Sequence, residues 1–436
     1  MEDLRQSSVQ ECLSRLSIAE SPSDAVLAWT SLQGRHSDLV GFVCLESYKR
    51  SALPLSIKKY TKSPIEYLVP YFETHHIYFL EDELLSDMFD SKEIKFGIDY
   101  TLMFDTNIAS YINRLVRGEP LGKLQPKIIT LVDEILNDDL NFDSLFYMVE
   151  NVKDLLHLVE SGGMSKMSFW KSLNKDFRNN LISLQLFSSI DCKEYKKNCN
   201  PKPVFSYREA AKRAIDFSYD FYMSKAGKEH LVEFLIIQRL ILLQLIGMVR
   251  IQLSSNRNAK NKMIEYFDYI HEVVGAYFDR ESIVAHKYFL DRKNVEIFHK
   301  IQKGRGTIRL LKQLDNIAWD MASPRFMEKL IVAMNGIGEG RYFIPMFISF
   351  DKKLRNLLSL YPVKGAVYSK SESTLLPIPK INTMEYFRHH GCDKKLEYLY
   401  SEPIKSERMA RGKPTRKSVH KLIKQEYSIL RKLLTA

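Results

Sequence analysis

Two aspartates each stand directly after an apolar stretch with the composition of a buried β-strand. Asp105 follows the strand-like segment Tyr100–Phe104, and Asp351 follows Ile344–Phe350. Because ligands and metal ions collect at the carboxyl ends of the strands in an open α/β sheet, aspartates at these positions are placed to bind a cation. The alternative for each aspartate is a helix N-cap without a catalytic role. Two such strand ends in one chain favour the functional interpretation.

Three further acids lie in segments with helical periodicity. Glu150 falls on or beside the apolar face of a helix predicted to begin near Asp143. Asp315 and Asp320 share a second helical segment, and their spacing of five residues turns about 140° around an α-helix, so they do not both face one site well. The choice between them stays open, with a preference for Asp320 beside Trp319. The candidate catalytic residues are therefore Asp105, Glu150, Asp320 and Asp351, and the candidate metal ligands are these four with Asp315.

Carboxylates gathered at one edge of a sheet have the chemistry of a site for Mg²⁺ or Mn²⁺. Both ions take a few oxygen ligands and keep bound water. Acidic side chains that are held close together repel one another, so such a cluster is costly without a cation. A metal ion bound there can contact phosphate oxygens, lower the pKa of a water molecule and offset charge at an attacked phosphorus. The cluster therefore predicts a divalent metal ion and hydrolysis of a phosphodiester.

The segments that carry these acids resemble the PIN domains, a family of metal-dependent nucleases that includes the toxin ribonucleases of toxin–antitoxin pairs. Phe104–Asn107 is similar to the opening signature of the family, Ile348–Leu354 to its closing strand–Asp–helix segment, and Leu314–Ala322 to its third motif. Glu150, 45 residues after Asp105, falls near the position of the second acid. The resemblance implies an α/β fold with a mostly parallel sheet flanked by helices, and endoribonuclease activity. An unregulated nuclease would harm its host, so we also expect a regulatory protein partner.

Composition and periodicity divide the chain into five regions. The PIN-like domain is predicted in two parts, because a long helical stretch separates its second and third acids, whereas PIN domains are usually compact. The predicted regions are an N-terminal α/β extension (1–93), the first part of the PIN-like domain (94–159), a helical insertion (160–304), the second part of the PIN-like domain (305–370) and a loop with a basic helical C-terminal tail (371–436).

The net charge of +11 is concentrated near the C-terminus, where residues 401–436 carry ten lysines and arginines against three glutamates. A basic tail of this kind attracts polyanions by neutralising phosphates. The alternative is a solvated helix with a spare positive face. We expect nucleic acid as the partner, with RNA preferred to DNA. The candidate substrate-binding residues are Asn107, Lys352, Arg411, Lys413, Arg416 and Lys417.

Other features of the sequence argue against a membrane or secreted protein. The five cysteines are scattered and have no CxxC spacing, which is typical of reduced thiols in the cytoplasm. The N-terminus lacks a basic start followed by an apolar core, so no signal peptide is predicted. The most apolar stretch, 231–251, is interrupted by charged and amide residues and is predicted to be a buried helix. We therefore expect a cytoplasmic protein that does not bind a membrane.

Two rival interpretations compete with the nuclease. The first is an inactive PIN-like scaffold whose carboxylates do not converge and which binds RNA or a partner protein. The second is a helical nucleic-acid-binding or interaction protein, in which the aspartates after the strands are only caps and the basic tail binds the partner. Convergence of Asp105, Glu150 and Asp351 in the folded chain would separate the nuclease from both rivals.

Overall fold

The computed structural model describes residues 2–32, 36–48, 53–62, 67–90, 96–161, 163–301 and 309–435. Helices make up 66% of the structure. Within these ranges the α-helices are α1 (Glu2–Ile18), α2 (Pro22–Thr30), α3 (Leu55–Lys62), α4 (Asp82–Phe89), α5 (Thr106–Val116), α6 (Gln125–Asp138), α7 (Leu145–Ser161), α8 (Lys166–Ser172), α9 (Lys175–Ser188), α10 (Cys192–Asn198), α11 (Tyr207–Met223), α12 (Lys225–Ser254), α13 (Ala259–Tyr269), α14 (Asp279–Leu290), α15 (Leu310–Met334), α16 (Lys352–Leu358), α17 (Thr383–His389), α18 (Asp393–Tyr400), α19 (Glu402–Ala410) and α20 (Arg416–Thr435). The strands are β1 (Leu39–Cys44), β2 (Leu68–Pro70), β3 (Ile77–Leu80), β4 (Ile98–Phe104), β5 (Phe142–Asp143), β6 (Tyr342–Ile348), β7 (Val363–Ser369) and β8 (Thr374–Pro379).

The described strands form two four-stranded sheets. The first has the order β3-β1-β7-β8 and is antiparallel throughout. The second has the order β2-β6-β4-β5, in which β6, β4 and β5 run parallel and β2 is antiparallel to β6. β4 and β6 pair along their whole length, from Ile98 opposite Tyr342 to Phe104 opposite Ile348. Their nearly continuous burial is what a parallel pair covered on both faces requires.

The predicted fold, a PIN-like mostly parallel sheet, is wrong. Only three of the described strands run parallel, and one of them, β5, has two residues. The structure is mainly helical, with a separate antiparallel sheet of four strands. Apolar runs such as Ile344–Phe350 identify strands correctly, but pairing depends on partners distant in sequence: β2 joins β6, and β1 joins β7. The apolar run Ala366–Tyr368 lies inside β7, between β1 and β8.

The predicted regions share sheets in the folded chain. β1, β2 and β3, from the region predicted as an N-terminal extension, pair with β7, β6 and β1 respectively. Sequence boundaries drawn on composition therefore do not separate the strands into different sheets. The predicted boundaries at 93/94 and 304/305 lie outside the described residues.

Helix α12 occupies the centre of the helical region. In the described part of the chain it is the one helix long and apolar enough to cross a membrane, and 72% of its most apolar window is buried inside the protein. Residues such as Ile241, Leu243 and Ile246 are fully buried there. Burial of this extent favours the predicted core helix, since a core helix passes the same test of length and composition.

The basic C-terminal segment ends in a folded helix. α20 packs against α12 and buries one apolar face, which includes Val419, Ile423 and Leu430. Glu426 of α20 contacts Arg250 of α12, with 2.9 Å between Nη1 and Oε2. The apolar face fixes α20 on the protein, so its lysines and arginines project from a defined surface.

Candidate carboxylate site

Asp105 lies at the point where β4 passes into α5. Its Oδ1 accepts a hydrogen bond from the backbone N–H of Ile108 at 2.7 Å, so the residue is the N-cap of α5. Its own N–H donates to the carbonyl of Ile348 at the end of β6, at 3.3 Å. Burial raises the pKa of Asp105 to about 6, and the charge of Glu150 adds to this, although hydrogen bonds from Ser349 and Ile108 oppose it. Parallel pairing of β4 and β6 thus buries an acid between two strand ends.

Glu150 is brought to Asp105 by α7. This helix begins directly after β5, where Oδ1 of Asp143 accepts the N–H of Leu145 at 2.8 Å. The Oε2 atom of Glu150 accepts a hydrogen bond from the hydroxyl of Thr106, the residue that follows Asp105. Nζ of Lys153, one turn along α7, lies 3.6 Å from Oε1 of Glu150. Glu150 is therefore held by one neighbour from α5 and one from its own helix.

Asp320 is the acid most strongly affected by its surroundings. It lies on α15 and is half-buried. Burial raises its pKa well above the usual range, and the negative charges of Glu150, Asp351 and Asp105 raise it further, while Lys153 opposes them. These couplings place the four predicted catalytic acids in one local electrostatic field, although they come from four different elements of the chain.

Asp351 follows β6 and is exposed. It is the N-cap of α16, where Oδ1 accepts the N–H groups of Lys353 at 2.8 Å and Leu354 at 3.3 Å. Asp105 and Asp351 therefore both cap helices, as the alternative interpretation expected. Both also act on Asp320, so capping and membership of the cluster are compatible.

Asp315 lies outside this cluster. Its Oδ1 contacts Nη1 of Arg239 at 2.8 Å and Nε2 of Gln238 at 3.1 Å, both on α12. The spacing of five residues turns Asp315 about 140° away from Asp320 on α15. Of the two candidate third acids, the structure brings only Asp320 to the other carboxylates.

The side chains fit a hard cation by their chemistry but not by their present arrangement. In the part of the chain that the structure describes, no group of three or more histidine, cysteine, aspartate or glutamate side chains is placed to hold a metal ion. Oδ1 of Asp105 is engaged by Ile108, and Glu150 by Thr106 and Lys153. The carboxylates of Glu150, Asp351 and Asp105 are thus close enough to raise the pKa of Asp320 without surrounding a common point. Mg²⁺ or Mn²⁺ would require Glu150 to turn away from Lys153.

The predicted substrate-binding residues fall into two groups. Asn107 and Lys352 are exposed and each lies within two residues of a clustered aspartate. The other four lie on or beside the C-terminal helices, where Arg411 contacts Glu407 and Arg416 contacts Glu160. Lys413 and Lys417 are exposed. Glu160 follows Glu150 by ten residues on α7. Arg416 therefore contacts α7 about 15 Å along the helix axis from Glu150.

Three residues of the cluster were missed from the sequence. The fully buried Ser349 bonds to Asp105, Thr106 bonds to Glu150, and Lys153 opposes the charge on Asp320. Nζ of Lys153 also lies 5.9 Å from the ring centre of Trp319. A lysine three residues after a candidate acid on a helix was a usable signal, because residues at that spacing share a face.

Comparison with known proteins gives no assignment. The chain matches no protein-family model, no curated protein and no solved structure. No match therefore supports the resemblance to PIN domains, and the function has to be argued from the carboxylate cluster itself.

Proposed function

We propose that the protein is a metal-dependent phosphodiesterase, an endonuclease that acts on RNA in the cytoplasm. The observation that carries this proposal is the field at Asp320, whose pKa is raised by burial and then by Glu150, Asp351 and Asp105. Acids that destabilise one another's charged forms are a cost to folding, and sites with such perturbed ionisation are candidates for function. Asp315, on the same helix but paired with Arg239, has no such surroundings.

Asp105, Glu150 and Asp320 would hold Mg²⁺ or Mn²⁺, with Asp351 at the exposed rim. When bound, the ion supplies a water of lowered pKa and neutralises charge on a phosphodiester. Burial and its negatively charged neighbours favour the uncharged form of Asp320. Because a carboxylate binds a cation in its deprotonated form, metal binding at Asp320 would be coupled to loss of a proton. Lys153, freed from Glu150, would then present its ammonium group to a phosphate oxygen.

A nucleic acid is the proposed substrate because positive charge lies both next to the acids and further along the surface. Lys352 is adjacent to Asp351. The exposed lysines of the C-terminal region are close in sequence to Arg416, which contacts Glu160 at the end of α7. Contacts of this type bind phosphates with little sequence preference and weaken as salt increases. They suit a polymer that extends from the cluster along the surface of α20.

Cleavage of RNA by the purified full-length protein tests the proposal. A mixed RNA pool and single-stranded DNA are incubated with Mn²⁺, Mg²⁺ or EDTA, with Asp320→Asn and Asp105→Asn as test variants. Asp315→Asn is the matched control, since it makes the same chemical change on the same helix. We expect metal-dependent cutting of RNA that falls about 10²-fold or more in both test variants, which is the effect of removing one electrostatic group from a catalytic site. Equal cutting by Asp320→Asn and Asp315→Asn would contradict the proposal.

The second candidate is an RNA-binding protein or scaffold without catalysis. The contact between Lys153 and Glu150 favours it, because an ammonium group then satisfies the acid that a metal ion would need. This candidate predicts RNA binding that is insensitive to EDTA and no cleavage under any metal condition. Fluorescence anisotropy with labelled RNA, measured beside the cleavage assay, distinguishes the two.

A further inference from the structure

A polar cavity lies away from the carboxylate cluster. It has a volume of about 480 Å³, within the range of small-molecule sites. It is bounded by the start of α4, the end of α15, the start of β6 and the turn between β7 and β8. Its lining residues are Glu81, Glu83, Val332, Asn335, Gly336, Arg341, Tyr368, Lys370 and Ser373.

A buried carboxylate organises the charges of this cavity. Glu81 is 2% exposed and accepts hydrogen bonds from Nε of Arg341 at 3.0 Å and from the hydroxyl of Tyr342 at 2.8 Å. Its other oxygen accepts from Lys370. These contacts lower the pKa of Glu81 against the opposing effect of burial. The two cations are therefore held at the cavity wall by an acid that remains charged.

Two buried polar atoms of residues that line the cavity have no hydrogen-bond partner within the described residues. They are the hydroxyl of Tyr368, whose side chain is 2% exposed, and Oδ1 of Asn335. Buried polar groups are nearly always bonded, because an unmade hydrogen bond carries the full cost of desolvation. A ligand with a hydrogen-bond donor for Asn335 and a polar group for Tyr368 would remove that cost.

The Nη1 group of Arg341 can bind an anion. Nη2 of Arg341 contacts the buried Glu81 at 2.9 Å and Glu83 at 2.8 Å, and the Glu83 side chain is 80% exposed. Nη1 carries two further N–H groups that can donate to a ligand. Arginine binds carboxylate and phosphate through paired hydrogen bonds, and Lys370 adds a second positive charge.

We propose that this cavity binds a small anion that carries a phosphate or carboxylate group together with a hydrogen-bond donor. Arg341 and Lys370 bind the anionic group, and Asn335 and Tyr368 bind the polar remainder. The cavity is a separate site: β6 spans seven residues between Arg341 and Ser349, about 23 Å, so the carboxylate cluster lies at the opposite end of that strand. The proposal does not depend on nuclease activity.

Isothermal titration calorimetry on the full-length protein tests the proposal. The probes are AMP, glycerol phosphate, inorganic phosphate and citrate, with adenosine as a neutral control. We expect an anionic probe to bind and adenosine not to bind, and comparison of the phosphates with citrate identifies the preferred anionic group. Each probe is tested up to about 10 mM, which is above the dissociation constant of even a weak site. The absence of binding by every anionic probe would overturn the proposal.

Variants then locate the binding. Tyr368→Phe removes only a hydroxyl without a partner, so it should fold normally and weaken binding about five- to tenfold. Tyr288→Phe is the matched control, since its buried hydroxyl also lacks a partner but lies outside the cavity. Glu83→Gln should strengthen binding, because it removes the acid that competes for Arg341. Equal affinity in wild type, Tyr368→Phe and Glu83→Gln would show that the probe binds elsewhere and would overturn the assignment.

Discussion

Two groups of acids each include one residue of α15, and the charges that surround the two groups differ in sign. Near the middle of α15, the negative charges of Glu150, Asp351 and Asp105 act on Asp320, and Lys153 opposes them. A few residues later, the acids are matched by arginines. The first group concentrates negative charge, and the second compensates it.

The compensated group joins α14 to α15. Nη1 of Arg325 lies 3.1 Å from Oε2 of Glu328, and its Nη2 lies 3.4 Å from Oε2 of Glu281. Nη1 of Arg280 lies 3.7 Å from Oε1 of Glu328. The hydroxyl of Tyr71 also donates to Glu328 at 3.2 Å. Burial lowers the pKa of Arg325, but the charges of Glu328 and Glu281 raise it more, so the net change is upward. Each charged form is therefore stabilised by its neighbours, which is what a structural ion-pair network requires.

The difference shows which acids are candidates for chemistry. Burial alone does not distinguish the groups, since Glu281 is 2% exposed and Asp105 is 5% exposed. What distinguishes them is the sign of the neighbouring charges. An uncompensated acid loses stability that a bound cation can restore, whereas a compensated acid needs no ligand. Substitutions in the two groups should therefore change stability in opposite directions.

The largest effect is expected in the compensated group. Arg325→Met should reduce the free energy of unfolding by about 3–5 kcal/mol, because it leaves buried glutamates without their partner. Chemical denaturation monitored by circular dichroism measures this change. The control is Arg257→Met, which removes an exposed pair with Glu265 and should cost less than about 1 kcal/mol. Equal losses in the two variants would show that the network around Arg325 contributes no more than a surface pair.

A smaller effect of opposite sign is expected for Asp105→Asn. Because burial raises the pKa of Asp105 to about 6, the folded state binds a proton that the unfolded chain releases near pH 4. The stability that this proton contributes is fully present below about pH 4 and is lost as the pH rises through 6. Asparagine keeps the neutral form at every pH, and it can still cap α5.

Asp105→Asn should therefore unfold like wild type at acidic pH and be more stable by roughly 1–3 kcal/mol at pH 7.5 without metal. Denaturation curves for both proteins in EDTA between pH 4 and 8 give the difference directly. If the difference in the free energy of unfolding does not increase with pH over this range, burial and the charge of Glu150 do not raise the pKa of Asp105 in solution.

The sequence predicted the acids better than their surroundings. Asp105, Glu150, Asp320 and Asp351 could be selected because strand ends and helical spacing are local patterns. The fold could not, because β6 pairs with β2 and β4, which both lie far earlier in the chain. The compensating charges could not be predicted for the same reason: Glu81, the partner of Arg341 in the polar cavity, lies 260 residues earlier. Pairing across such distances leaves no periodic signal in the sequence.

Binding of Mn²⁺ tests the proposed carboxylate site itself, because it depends on the acids of the cluster and not on the choice of nucleic acid. Titration calorimetry at pH 7.5 compares wild type with Asp320→Asn and with the control Asp315→Asn on the same helix. We expect Mn²⁺ to bind wild type and Asp315→Asn equally, and to bind Asp320→Asn at least about tenfold more weakly, since one ligand is lost. Failure of wild type to bind Mn²⁺, or equal binding by all three proteins, would contradict the proposed metal site.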